Sequence, residues 1–348
     1  MDEALGSEGR SPAASLDEMR RILRDLPGPH LDSGTRAAER ERQLTKPPGS
    51  LGRLEALAEW LATWQGRHPP RLERPRVCVF AGNHGVAARG VSAYPPEVTA
   101  QMVRNFIDGG AAINQVCQAV DAELRVYEMG LEVPTEDFLK APAMTDETCA
   151  RAIAYGMMAV EQGFDVLAVG EMGIANTTAA AAICLALFGG KPEDWTGPGT
   201  GVAGQALSLK TEVVGAAVAR HRDAMGDGFA VLRCLGGHEL AAIAGAIIAA
   251  RRARIPVLID GYAATAAAAV LHAMDGQALD HCQVAHLSAE PAHGRLCRAI
   301  GKQPILDLGM RLGEASGAAL AIAIVRAATR CHAGMATFAE AGVSGKTE

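Results

Sequence analysis

The chain changes character at Arg76, and that change constrains its fold more than any other feature. From there on, short apolar runs rich in β-branched residues alternate with longer alanine-rich stretches of helical periodicity. The runs predict strands over 77–81, 124–128, 166–169, 257–259 and 284–287, with a sixth over 231–235. Between them the spacing predicts helices near 96–107, 146–162, 177–188, 205–225, 238–252 and 262–274, and a last one from Leu312 to Arg330. Such alternation builds βαβ units, hence an α/β fold with a parallel sheet covered by helices on both faces. Nothing before Arg76 reads as a strand. Ser15-Leu16-Asp17-Glu18 forms a capping box that opens a helix ending before Pro27-Gly28-Pro29. A charged helix over 35–44 follows, and leucines from Leu51 to Leu61 recur at helical spacing up to Gly66. Residues 15–70 therefore read as a helical unit set off by His68-Pro69-Pro70, after a small, polar, disordered tail over 1–14, with the α/β body over 71–330.

Charge and composition narrow the partners. The formal charge of −6 and the 4% of aromatic residues supply neither the basic footprint nor the stacking platforms of a nucleic-acid binder. No apolar run reaches the roughly 18 residues that a membrane-spanning helix needs, and the acidic start Met1-Asp2-Glu3 is unlike a secretory signal. The eight cysteines include no C-x-x-C pair, so they read as buried, inert thiols of a reducing, cytoplasmic setting. The histidines offer no metal-binding pair, and neither a G-x-S-x-G elbow nor a P-loop occurs.

Ligands of an open parallel sheet bind beyond the carboxyl ends of its strands. Four predicted strand ends carry compact polar groups beside glycines or at helix starts. These are Gly82-Asn83-His84, Glu171-Met172-Gly173 with Asn176-Thr177-Thr178, Asp260-Gly261, and Ser288-Ala289-Glu290. Each alone is compatible with ordinary turn and cap chemistry; together they point to a small-molecule site. Glu314 is the sharpest candidate. One turn into the predicted last helix, it would share a face with Gly317, Ala318, Ala321 and Ile322, where burial raises a carboxylate's pKa. The run Gly199 to Gly204 matches G-x-G-x-x-G, but no strand precedes it, so a dinucleotide site lacks its context. Such a loop can still hold a phosphate through backbone N–H groups with Lys210 nearby, although Lys210 by itself reads first as a solvated surface lysine.

Taken together, these segments resemble the nicotinate-nucleotide–dimethylbenzimidazole phosphoribosyltransferase family. The likeness rests on Thr45-Lys46-Pro47-Pro48-Gly49-Ser50-Leu51-Gly52, 85–92, 170–178, Asp260-Gly261 and the motif Leu306 to Glu314. It implies a Rossmann-like domain, a smaller helical domain joining 15–70 with about 331–348, a homodimer, and no cofactor or metal. It also implies transfer of the phosphoribosyl group of nicotinate mononucleotide to a benzimidazole-type base, within cobalamin lower-ligand assembly. Carried onto this sequence, Glu314 matches the family's catalytic glutamate and Glu171 its second carboxylate. Tyr94, Gln101, Met172 and Leu312 match the base pocket. Gly173, Asn176, Thr177, Gly201, Lys210, Asp260, Gly261 and Ser288 match the nucleotide and phosphate side. Asn83 and Ala179 depart from the pattern, standing where Asp and Pro are frequent. Two other readings compete: a non-catalytic binding protein of the same fold, and an NAD(P)-dependent oxidoreductase built on Gly199–Gly204.

Overall fold

The computed structural model describes residues 14–345; the predicted tail lies outside them except for Ala14. Five strands, β1 (Pro75–Ala81), β2 (Glu123–Glu128), β3 (Val166–Met172), β4 (Val257–Ile259) and β5 (Cys282–Val284), form one sheet in the order β2-β1-β3-β4-β5. Every pairing is parallel. The continuous apolar runs of the inner strands are explained by burial on both sides. Cys78, Phe80, Leu167, Val169, Val257 and Ile259 point into one core. Val77, Val79, Val166, Ala168 and Leu258 point into the other. The first core is roofed by the helices Asp146–Met158, Asn176–Phe188, Gly228–Leu235, His238–Arg252 and Tyr262–Met274. The second is closed by Arg53–Gln65, Ala112–Ala119 and Ser316–Gly334.

Small residues bring two helices of the first roof, Asp146–Met158 and His238–Arg252, close to each other. A Cβ at Gly156 would overlap the Ala242 carbonyl, and one at Gly245 would overlap the Ile153 carbonyl, so both positions require glycine. The N-terminal helices are shared between the two cores. Leu16–Arg24, opened by the Ser15 hydroxyl accepting the Glu18 N–H at 3.2 Å, adds Leu16, Met19 and Leu23 to the first. Arg53–Gln65 adds Leu57, Trp60, Leu61 and Trp64 to the second. Residues 43–45 and 336–338 meet where Leu44 bridges Thr337, the Thr45 N–H donates to the Ala336 carbonyl and the Phe338 N–H to that of Gln43.

Three expectations are corrected. Residues 231–235 belong to the helix Gly228–Leu235, not to a strand, because Asp227 caps the Ala230 N–H at 2.8 Å and starts a helix there. The fifth strand ends at Val284 rather than 287; beyond it only His286 makes an isolated bridge, to Leu306. The last helix begins at Ser316, not Leu312, because Gly313, Glu314 and Ala315 take left-handed φ values of 85°, 63° and 60°.

Candidate active site

All five strands run the same way, so their carboxyl ends share one edge of the sheet, and there a cleft of about 650 Å³ opens. Glu171 and Met172 reach it from β3, Gly261 from the turn after β4, Ser288 from beyond β5, and Leu312 to Glu314 from the segment before the last helix. Two backbone features hold the acidic corner together. The Glu314 N–H donates to the Glu171 carbonyl at 3.1 Å. At Gly170 a Cβ would overlap the Ala315 backbone, so a side chain there would push the two segments apart. Glu314 thus sits in a left-handed turn rather than within the helix, yet it is 4% exposed.

Three carboxylates converge at this corner. Burial, and after it the neighbouring charge of Asp260, pushes Glu314 up to about 7. Burial and the carboxylates of Asp260 and Glu239 push Glu171 up to about 8, against the opposing hydrogen bond from the Asn176 amide. Asp260 lies beneath the cleft floor rather than on its wall, with one oxygen accepting the Ala318 N–H at 2.9 Å at the N-terminus of the last helix. Behind Glu171, Glu239 is paired with His84 at 2.7 Å, both side chains fully buried.

The opposite end of the cleft is built from glycine backbone and cations. Gly199 and Thr200 line it, while Gly201 stands just outside at φ 119°. The loop follows a short 3-10 turn, Pro192–Asp194, and no strand, so the structure does not supply the context of a dinucleotide fingerprint. Glu290 accepts the Gly199 N–H at 2.8 Å, and Arg311 donates to the Gly199 carbonyl at 3.0 Å. Lys210 is 1% exposed, which overturns the reading of a solvated surface lysine. Its ammonium donates to the Thr177 hydroxyl and the Gly197 carbonyl, each at 2.8 Å, so it braces the cleft wall from behind; burial pulls it down to about 8.

The remaining candidates divide. Gly173, Asn176 and Thr177 line the cleft, as do Met172, Leu312 and the half-exposed Tyr94. The Tyr94 loop is tied across the cleft mouth by Ser92, 2.9 Å from the Thr200 hydroxyl. Gln101 does not reach the cleft. On the helix Glu97–Ile107, Thr99, Val103 and Phe106 face inward and Val98 and Met102 face the cleft, which leaves Gln101 on the exposed side. Asn83 also lies off the wall, its amide donating to the Leu131 carbonyl at 2.9 Å, a bond that an aspartate could not donate. Sequence reasoning passed over His286, Glu290 and Arg311 as site residues. The latter two stood inside segments already singled out, and His286 lies two residues before Ser288. All eight cysteines are free and all but Cys331 are buried. Among the described residues, no group of His, Cys, Asp and Glu is arranged to hold a metal ion, and no helix is long and apolar enough to cross a membrane.

The cleft therefore has Glu171 and Glu314 on one side, the 199–200 loop with Glu290 and Arg311 on the other and Lys210 behind it, and apolar walls between. A flat heterocycle joined to a phosphorylated sugar matches that division. Comparison with known proteins agrees with it. A family described as phosphoribosyltransferase matches residues 26–343. The chain is 57% identical over 329 residues to the nicotinate-nucleotide–dimethylbenzimidazole phosphoribosyltransferase of Brucella canis, covering 94% of this chain and 97% of that one. The enzyme of the same name from Brucella anthropi is 56% identical over 330 residues, with 95% and 97% covered. Among solved structures, CobT from Thermus thermophilus superposes with a TM-score of 0.85 at 43% identity, covering 90% of this chain and all of that one (100%). A second structure from the same organism, a phosphoribosyltransferase of the same name as the Brucella enzymes, gives 0.84 at 42% identity, with 90% and 99% covered.

Proposed function

Since this chain belongs to the phosphoribosyltransferase family and is a cobalamin-biosynthesis enzyme of the nicotinate-nucleotide–dimethylbenzimidazole type, we propose that Glu314 is the base of its reaction. In this reading 5,6-dimethylbenzimidazole, or a related lower-ligand base, lies between the apolar walls with its N–H toward Glu314. Its pyridine-like nitrogen attacks the anomeric carbon of nicotinate mononucleotide. The bond from that carbon to the nicotinate nitrogen breaks, and the electron pair leaves with nicotinate. Attack from the opposite face inverts the anomeric carbon, β to α, giving α-ribazole 5′-phosphate. The new benzimidazole product would be cationic, and Glu314 removes that charge by taking the N–H proton.

The observation that carries this reading is a nearly enclosed carboxylate in the cleft wall whose pKa, about 7, suits an acceptor at neutral pH. Glu171, at about 8, holds its proton until substrate arrives; a pyridinium ring beside it favours the anion, which then stabilises positive charge growing on the ribose. Thr200, the Lys210-braced Thr177 and Arg311 supply the end suited to the phosphate, beside Glu290, which accepts the Gly199 N–H. Positioning two flat rings in line contributes about 7–11 kcal/mol of the barrier in reactions of this kind. Family likeness adds two finer expectations, a homodimer and a cytoplasmic place of action, which sedimentation velocity and fractionation would check.

The test is incubation of the purified protein with nicotinate mononucleotide and dimethylbenzimidazole, followed by chromatography. Equimolar nicotinate and α-ribazole phosphate are expected. Binding of both substrates without release of nicotinate would instead identify a binding protein of the same fold.

A further inference from the structure

His286 has no part in the chemistry above, yet the fold clears a slot for it. A Cβ at Gly317 would overlap the imidazole, and one at Gly261 would stand 3.3 Å from its Nε2. These glycines lie on separate segments, one in the first turn of the last helix and one between β4 and the helix Tyr262–Met274. The ring is 1% exposed and contributes to the cleft lining. Its Nε2 stands 3.4 Å from Asp260 Oδ1. Neither ring nitrogen has a hydrogen-bond partner among the described residues, and the second oxygen of Asp260 has none either.

The neighbours define what this ring can do. His293, with ring centroid 6.4 Å away, accepts the Ser288 N–H on Nδ1 and meets Thr265 through Nε2. Burial, and then the neighbouring His286, pull His293 down to about 3, so it is neutral. Asp307 faces His286 from the segment that pairs beside it. On the other side Asp260 presses on both Glu314 and Glu171, and Glu239 presses on Glu171 from behind. Arg311 is turned to the Gly199 carbonyl, and Lys210 lies near Glu290 at the far end. Burial opposes a charge on His286, but Asp260, the Leu287 backbone and Asp307 together outweigh it and raise the imidazole above its ordinary value. At the acidic corner, His84 is engaged with Glu239 behind Glu171, and His286 is the group able to carry a positive charge that stands against Asp260.

We propose that His286 is a positioning residue for Glu314: as an imidazolium seated against Asp260, it offsets that carboxylate's charge and keeps Glu314 free to accept a proton at neutral pH. The inference rests on the reading of Glu314 as the base. Loss of the ring would leave Asp260, which accepts the Ala318 N–H at the helix N-terminus, without that counter-charge, and Glu314 would become harder to ionise.

Nicotinate release by the wild-type protein is measured first; its absence would count against the proposed reaction and not against this role. With H286N, the acid limb of the kcat/KM profile is expected to move up by about one pH unit, a tenfold loss below it, with rates within about twofold of wild type above it. An unmoved limb, or an equal loss at every pH, overturns the proposal. Should H286N fail to fold, nitrogen NMR of histidine-labelled wild-type protein decides without any variant or activity. The ring identified by contacts to the α-protons of Gly261 and Gly317 is expected to be an imidazolium at pH 7. A neutral ring there overturns the proposal.

Discussion

At residue scale the reaction depends on how two carboxyl groups close together in space are made unequal to ordinary surface acids. Replacing Glu314 by Gln keeps shape and removes the acceptor. E314Q is expected to bind both substrates within a few-fold of wild type and to lose about 10²- to 10⁴-fold in kcat. Steady-state kinetics with binding calorimetry separates the two; near-normal turnover would remove Glu314 from the mechanism. The sign of the pH dependence follows from the same group. A base raised to about 7 is ionised above that value and silenced below it, so kcat/KM is expected to fall as pH drops through about 7. K210A withdraws the brace behind Thr177 and is expected to raise KM for the nucleotide about tenfold, with little change for the base, because one lost buried hydrogen bond of this kind costs about 1–3 kcal/mol. Equal effects on both substrates would make Lys210 merely structural. The acidity of this corner was legible in sequence as far as Glu314 and Glu171 were concerned; Asp260 was assigned to the nucleotide and phosphate side, whereas its charge acts on both glutamates. Gln101 stands on the exposed side of its helix and not among the cleft-lining residues, and nothing in a linear pattern tells which side of an amphipathic helix meets a cleft. His286 was passed over because its meaning lies in two glycines, 261 and 317, that are distant from it and from each other along the chain.

At the scale of elements, period was a sound guide and boundaries were not. The strands over 77–81, 166–169 and 257–259 were readable because burial on both faces demands unbroken apolar runs. The start of the last helix was not readable. Its apolar period extends back to Leu312, but three left-handed residues in a row postpone the helix to Ser316 and turn Glu314 into the cleft. Residues 231–235 look like a strand by composition, and only the cap supplied by Asp227 reveals a helix. Close helix packing carries its own prediction. G245A drives a methyl group into the Ile153 carbonyl and is expected to lower stability by about 1–3 kcal/mol, read as a drop in the urea midpoint with an unchanged slope. An unaffected midpoint would mean that the two helices can separate at little cost.

At the scale of the whole molecule, one buried polar chain ties the first helices to the last. Lys46 pairs with Glu55 at 2.8 Å and Glu41 at 3.0 Å; Glu41 also meets His332 at 2.7 Å, and His332 stands 3.2 Å from His68. K46M would strand two carboxylates in a site where the lysine side chain itself is only 5% exposed. A loss of about 3–5 kcal/mol is expected on breaking such a pair, measured by urea unfolding. Acid should undo the same contacts. Glu55 is held below its ordinary value by the Lys46 pair and a backbone bond that together outweigh burial, so its contribution is present at neutral pH and lost as pH falls through its lowered value. His68 is pulled down by burial and the neighbouring His332, so protonation of the unfolded chain costs stability as pH falls below about 6.5. None of this network was legible in sequence, since its members are separated by up to 291 positions. That separation has a consequence for biogenesis. A ribosome releases the stretch around Gln43–Thr45 long before Ala336–Phe338 exist to receive it, so this seam closes only once that later stretch has emerged, and a polypeptide terminated before it leaves the seam open.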